Sequence, residues 1–324
     1  MAIQVLTPIT QALNAGTITR RELKEFMKRS DGPAFRHLAI WVVVLACTGS
    51  LIYLTMGTPW VWLAMFAHGV VMVHHFSLQH ECCHYTVFKT RCLNDLFGNI
   101  CGFIILVPNR HFRYEHCDHH TYTQLHGDDP ELIELPKNLV GYFWYLMTIP
   151  YWKAKLTEIL RNAAGQLSPE EARFVPKEEY TTLFWEARTM IAAYLGIIVL
   201  CIAAGWWGPL WYWWIPIIIG EPVMRFIRMT EHVGKPCVRE MKENTRTNYV
   251  TRPMQFLCWN MNYHAEHHYA ASIPFHALPK LHEILKDIIQ VEKRGYLGAH
   301  IDILSQLIGR KPRSDTFEKA TDGT

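Results

Sequence analysis

The sequence predicts an all-α integral membrane protein with four transmembrane helices in two hairpins and a cytoplasmic helical cap that holds a histidine-rich di-metal site. Two observations predict it. Half of the 324 residues are hydrophobic and fall in blocks, and histidines recur at helical spacing in three short polar boxes.

The first block, residues 39–56, has no charged residue. Its 18 positions make about 27 Å of helix, close to the hydrocarbon thickness of a bilayer. Spans are expected at about 39–56, 59–76, 190–207 and 209–226. Gly57 and Thr58 alone separate the first pair and Gly208 the second, so each pair reads as a hairpin. Neither outer turn contains Lys or Arg, whereas the flanks are basic, as in the run RRELKEFMKR from Arg20. The positive-inside rule then puts both termini and all three boxes in the cytoplasm. A net charge of +3 fits basic residues at span ends meeting anionic headgroups, with no need for nucleic acid. Nine cysteines without a CxxC pair fit a reduced compartment, and no signal peptide is visible.

Residues 1–38 form a polar N-terminal segment, cytoplasmic or interfacial. Thr19 and Glu22 have the spacing of a capping box that starts a short helix through Phe26. Residues 39–290 form the membrane domain, and residues 291–324 a cytoplasmic tail whose last dozen residues look disordered. The second span is expected to continue as one helix from Val70 into the first box. His68, His74 and His75 lie within it and are expected to make interhelical hydrogen bonds, because unpaired polar groups are costly there. An apolar stretch from Leu96 to Pro108, too short to cross, is expected to dip in and return. Aromatic residues crowd positions 136–152, as at a membrane interface. The connector up to about Arg188 is charged and helical in pattern, and residues 278–291 have the period of a surface helix.

The boxes carry the chemistry. HECCH places His80 and His84 one turn apart, HCDHH places His116, His119 and His120 at i, i+3 and i+4, and HAEHH does the same for His264, His267 and His268. Such spacing puts three imidazoles on one helix face, where they converge on one point. Imidazole suits iron, zinc, copper and nickel alike. Zinc takes up to four side chains, so eight boxed histidines, or nine with His232, suffice for two metals with open positions.

HxxxH, HxxHH and HxxHH, in this order around two hairpins, resemble the membrane fatty-acid desaturase superfamily. The resemblance implies that these eight histidines are the catalytic metal site. His232, the one histidine between the last span and the third box, matches the extra ligand that the family often supplies. It also implies two iron ions, dioxygen as co-substrate, and a lipid-like or acyl substrate that gains a double bond. No cytochrome b5 extension is seen, so an external electron donor of ferredoxin, rubredoxin or cytochrome b5 type is implied. Acyl-CoA desaturases carry asparagine four residues before the extra histidine, where this chain has Arg228. Carotenoid ketolases and hydroxylases share similar boxes, so oxygen insertion is the alternative outcome. HECCH also matches HExxH, the motif of a zinc metalloprotease with Glu81 as general base, though that reading leaves two boxes unused. A heme carrier would need histidine pairs on facing spans. Glu81, Asp118, Asp128, Asp129 and Glu266 are candidates to accept the second ring N–H of a ligand, with Asp118 and Glu266 preferred.

Overall fold

The computed structural model describes residues 8–309, so the expected disorder at the C-terminus lies outside the described residues. Helix α1 (Pro8–Asn14) leads to α2 (Arg20–Phe26). The expected capping box starts α2: the Thr19 hydroxyl accepts from the Glu22 N–H, and the Glu22 carboxylate accepts from the Thr19 N–H.

Helix α3 (Asp31–Thr55) and the pair α4 (Trp60–Val73) and α5 (His75–Cys83) make the first hairpin. The continuous helix expected from Val70 into the first box is interrupted by a turn at His74. The His74 and His75 Nδ1 atoms reach back to the carbonyls of Val70 (2.6 Å) and Met72 (2.7 Å). A side chain inserted into the backbone ladder is one of the recognised causes of a break. Of the three histidines in this span, His68 makes the interhelical bonds expected, to Thr48 (2.7 Å) and the Tyr212 carbonyl (3.1 Å). His74 and His75 bond within their own turns.

Helix α6 (Arg91–Ile105) ends at Leu106, which takes the left-handed conformation at φ 59°. The chain then bends by 99° into α7 (Asn109–Tyr122). Glu186 caps α7, accepting from the Arg110 N–H at 2.9 Å, a carboxylate at the positive end of a helix. It belongs to α11 (Tyr180–Ala204), which follows the connector helices α8 (Leu139–Leu146), α9 (Ile149–Ala163) and α10 (Glu171–Phe174). A π-helical run, Leu210–Trp214, passes into α12 (Ile215–His232).

The cap is built from α13 (Met241–Asn244), α14 (Arg252–Leu257), α15 (His264–Tyr269), α16 (Leu278–Leu285) and α17 (Gly295–Leu307). Two short parallel strands, β1 (Thr247–Asn248) and β2 (Val291–Glu292), tie it together. The expected surface helix forms as α16, with Lys280 and Glu283 exposed and Leu278, Leu281 and Leu285 buried against Ala265 and Tyr269 of α15, and it ends at Leu285, short of Val291. The chain after residue 290, expected as a tail, folds back: His300 of α17 bonds the Phe226 carbonyl of α12 at 2.8 Å and the Tyr142 hydroxyl of α8 at 2.8 Å.

Among the described residues three helical stretches are long and apolar enough to cross a membrane: Asp31–Thr55, Trp60–Cys83 and Lys177–Ala204. A fourth is reached if the bent pair α6 and α7 counts as one span. The expected span at 209–226 is helical, but α12 carries Glu221, Arg225, Arg228 and Glu231 along its buried face.

Glycines set how closely α4 and α12 approach. A Cβ on Gly69 would lie 2.0 Å from the Pro216 carbonyl oxygen, and one on Gly220 would lie 2.4 Å from the Gly69 carbonyl carbon. Small residues allow such contact between helices in lipid, where packing replaces the hydrophobic drive. We expect Gly220→Ala to destabilise the protein by about 1–3 kcal/mol through overpacking, seen as a lower melting temperature in detergent. Gly196→Ala, where no atom lies within 4 Å of the new methyl, serves as the control and leaves the melting temperature unchanged or higher.

Candidate metal centre

Four elements bring the histidines together. His80 comes from α5, and His84 caps its C-terminus. Helix α7 gives His116, His119 and His120, α15 gives His264, His267 and His268, and His232 is the last residue of α12. The structure places all nine in two groups, His80, His84, His116, His120 and His267 in one and His119, His232, His264 and His268 in the other. Within each group the nitrogens that could bind a metal lie within 4.8 Å of one another.

The single point of convergence expected for each HxxHH box is therefore corrected to two. Residues i and i+4 are 40° apart on a helix, whereas i+3 falls on the other side of i and 100° from i+4. His116 and His120 accordingly turn to the first group and His119 to the second. In α15 the i, i+4 pair His264 and His268 joins the second group, and His267 the first. Each helix lies across the boundary, and the two groups touch where the His120 and His268 rings stack at 4.3 Å.

Hydrogen bonds fix which nitrogen faces inward. His116 Nδ1 donates to Glu131 (2.7 Å), His119 Nδ1 to Asp129 (2.8 Å) and His232 Nδ1 to the Asn244 carbonyl (3.1 Å). The Thr123 hydroxyl donates to the His119 carbonyl at 2.6 Å, so its contact with His268 Nδ1 at 3.3 Å makes that nitrogen the donor. Each such ring, when neutral, presents a bare Nε2 lone pair. Bare Nε2 atoms of His232 and His268 lie 2.9 and 3.0 Å from His264 Nε2. In the other group His120 Nε2 is 3.0 Å from both His116 Nε2 and His267 Nε2.

His116, His232 and His268 bring bare lone pairs to these contacts, and one Nε2–H on His264 can serve only one of its two neighbours, so a cation satisfies the set where protons do not. Two nitrogens each about 2.1 Å from one ion and at right angles are about 3.0 Å apart. The Nε2 atoms of His80, His84 and His119 are buried with no hydrogen-bond partner, an arrangement that is costly without a ligand to bind. Burial first, then neighbouring imidazoles, push His264, His267 and His268 well below the usual histidine range. For these three the neutral, metal-binding form is favoured, whereas at His119 burial is outweighed by the Glu131 and Asp129 carboxylates, which hold the imidazole above the usual range. The donor set is nine imidazoles without a thiolate, which fits two first-row transition ions.

The carboxylates differ from those preferred on sequence grounds. Asp118 pairs with Arg173 (2.7 Å), and Glu266 holds His282 and Thr247; neither contacts a boxed imidazole. Asp129 and Glu131 do so instead. Glu131 was not singled out by the sequence; its one signal is a place two residues after Asp129 in the turn that follows the second box. Burial works to raise the Glu131 carboxyl, but the Arg228 guanidinium and His119 outweigh it and hold the group below the usual carboxylate range. Arg228 pairs with Glu131 at 2.5 Å and Glu231 at 2.7 Å, so the residue that departs from the acyl-CoA desaturase pattern carries the carboxylate behind His116.

Glu81 lies on the Nδ1 side of two ligand candidates, 3.5 Å from His80 and 3.6 Å from His267. It faces the rings from behind, at ion-pair range and without a hydrogen bond to either. A general base of an HExxH protease must instead reach water on the metal side.

Two cavities lie among the helices, and only the smaller of them adjoins the centre. One of about 10 Å³, room for about one water, lies among Phe76, His80, Arg228 and Met261. An apolar cavity of about 430 Å³ lies farther into the helices, lined by Ile104, Leu106, Trp152, Tyr194, Trp213 and Ile217 among others. Ile104, Ile105 and Leu106 of its wall are the end of the apolar stretch expected to dip in and return.

A helical membrane protein with two adjoining clusters of inward-facing imidazoles defines a class, and the comparisons with known proteins agree with it. The profile described as "Fatty acid desaturase" matches residues 56–297. The chain belongs to the fatty acid desaturase family, and it is an oxidoreductase of lipid metabolism. It is 22% identical to an sn-1 oleoyl-lipid 12-desaturase of Synechocystis sp., over 88% of this chain and 87% of the relative. A sphingolipid delta(4)-desaturase/C4-monooxygenase of Mus musculus is 27% identical over 76% of this chain and 71% of its own. An sn-1 acyl-lipid omega-3 desaturase (ferredoxin) of Nostoc sp. is 24% identical over 53% and 51%.

Carboxylates that orient metal-bound imidazoles are commonly worth 10- to 100-fold in metal affinity. We expect Glu131→Gln and Asp129→Asn each to weaken metal retention by about that factor, measured as metal per chain after dialysis against graded chelator. Asp118→Asn should leave retention unchanged.

Proposed function

We propose that the protein is a di-iron, dioxygen-dependent membrane desaturase that introduces a double bond into an aliphatic lipid or acyl chain. The observation that carries this reading is the pair of imidazole groups whose Nε2 atoms converge to about 3.0 Å. His80, His84, His116, His120 and His267 would hold one iron, and His119, His232, His264 and His268 the other. When bound, the two irons supply the activation of dioxygen needed to oxidise an unactivated carbon, which no side chain here provides.

The protein's own part is positioning and exclusion. Asp129, Glu131, Thr123 and the Asn244 carbonyl keep the imidazoles aimed inward. Phe76 and Phe112 pack against His80 and His116 and limit water beside the centre. The apolar cavity at Ile104 and Trp213 offers a place for hydrocarbon. Desaturation and oxygen insertion differ in how closely one carbon approaches the centre. The small cavity at His80 and the desaturases named above favour a chain held at a distance, hence double-bond formation. The mouse relative's name joins desaturase with monooxygenase activity, which keeps hydroxylation as the second reading.

Reducing equivalents would come from an external electron-transfer protein of ferredoxin, rubredoxin or cytochrome b5 type. The Nostoc relative is named for ferredoxin. The proposed topology is four spans in two hairpins, the fourth formed by residues 209–226, with termini and metal centre in the cytoplasm. Its support is the absence of Lys and Arg from the turns at Gly57–Thr58 and Gly208. The proposed domain division keeps residues 39–290 as the membrane domain.

Mass spectrometry of products formed under ¹⁸O-labelled dioxygen tests the reaction. A main product two hydrogens lighter and free of label is expected, and one retaining labelled oxygen would establish hydroxylation instead. Glu81→Gln separates the protease reading: we expect activity reduced by about 10- to 100-fold, whereas a protease would lose it altogether. For topology, Thr58→Cys should react with a membrane-impermeant thiol reagent from outside the cell; protection there with reaction in inverted vesicles would refute the orientation.

A further inference from the structure

A third cavity, of about 330 Å³, lies beside the metal centre and differs in kind from the apolar one. On the metal side it is bounded by Phe76, Arg228 and Glu131, and on the other by Tyr151, Lys155 and Arg225. Phe76 and Arg228 also line the small cavity at His80, so these two side chains separate the charged cavity from the centre. Tyr151 lines the charged cavity and its neighbour Trp152 the apolar one, which makes the two spaces adjacent at α9.

The charges here are not equally engaged. Arg228 uses both terminal nitrogens, on Glu231 and Glu131. Lys155 lies 2.8 Å from Glu158 and 3.9 Å from Glu115. Arg225 is different: its Nε meets Glu221 at 2.7 Å, and among the described residues no other carboxylate lies within ion-pair range of its guanidinium. Arg225 lines the cavity although its residue surface is only 8% exposed, and the Tyr145 hydroxyl lies beside its guanidinium.

A buried arginine with donors to spare favours an anionic oxygen ligand, which can take two of them at once. Hydrocarbon in this space would strip water from charged groups and return no hydrogen bond. A cationic head fares no better, because cations already occupy the aromatic faces: Arg225 lies 4.0 Å over the Tyr151 ring and Arg228 5.2 Å over Phe76.

We propose that this cavity binds the oxyanion head of an amphiphilic substrate, a carboxylate or phosphate ester, through Arg225 with Lys155 beside it. The apolar cavity takes the hydrocarbon next to that head. The carbon presented at His80 then lies within a few bonds of the head, so oxidation occurs near the polar end of the molecule. This last statement rests on the desaturase reading; the binding statement does not.

The test is binding to the full-length protein in nonionic detergent, followed by tryptophan fluorescence or calorimetry in the absence of reductant. Four probes share one chain: octanoate, octyl phosphate, octanol and octyltrimethylammonium. At least one of the two anions should bind roughly tenfold or more tightly than octanol and the ammonium, about 1.4 kcal/mol or more. A tighter octanoate assigns a free carboxylate as the natural head, and a tighter octyl phosphate a phospholipid or other phosphate ester. Arg225→Gln should remove the preference for anions, and Arg225→Lys should retain part of it. Octanol or the ammonium binding as tightly as both anions would overturn the proposal, and needs no variant to be seen. So would an undiminished anion preference in a folded Arg225→Gln protein. Because nothing here turns over, failure of this assay leaves the double-bond product unaffected, and a failed product assay leaves the head site standing.

Discussion

Imidazole Nε2 atoms held about 3 Å apart in a buried space are the constraint on which the structure depends. Ring protons are too few to pair them all, so their arrangement is stable with cations between them. The fold delivers them from four separate elements. Helix α7 lies across the boundary between the two groups, and α15 meets it from the other side. The i, i+4 pair of each helix and its i+3 partner then serve different groups. His232, at the last turn of α12, closes the second group and ties the membrane helices to the cap.

Between membrane and cap the joint is charged. Arg228, buried on α12, bridges Glu231 on its own helix and Glu131 from the loop after α7. Buried ion pairs are weak evidence of stability, since desolvation offsets much of the attraction. Their worth here is in orientation: Glu131 accepts from His116, so the guanidinium fixes the carboxylate and the carboxylate fixes the ring. Deeper in, Gly69 and Gly220 bring α4 and α12 into backbone contact. That contact sets the register of Arg228 and His232 relative to His80. Packing within the helices and ligation in the cap are therefore parts of one geometry.

Much of this was legible in the sequence because its signals are local. The charge-free run at 39–56, the capping box at Thr19 and Glu22, and the histidine spacings each reflect interactions within one or two helical turns. His232 could be matched through its position between span and box. What was not legible depends on contacts between distant segments. Asp118 and Glu266 lie inside the boxes yet point to Arg173 and His282, because the neighbours of a helix decide which flanking carboxylate meets a ring. Glu131 lies outside the boxes and reaches His116 only because the turn after α7 folds back along it. The turn at His74 escaped a pattern of apolar residues that continues through it. The leucine period of α16 was legible as an amphipathic helix, though not its end at Leu285. Folding back of the chain after residue 290 rests on His300, whose partners are 74 and 158 residues away.

The central claim is that nine histidines make two metal sites that work together. Its most direct test is activity measured against iron bound per chain, on protein first stripped of metal and then loaded stepwise. The account predicts that activity appears with the second iron and saturates at two per chain. Full activity at one iron per chain, or with zinc alone, would contradict it.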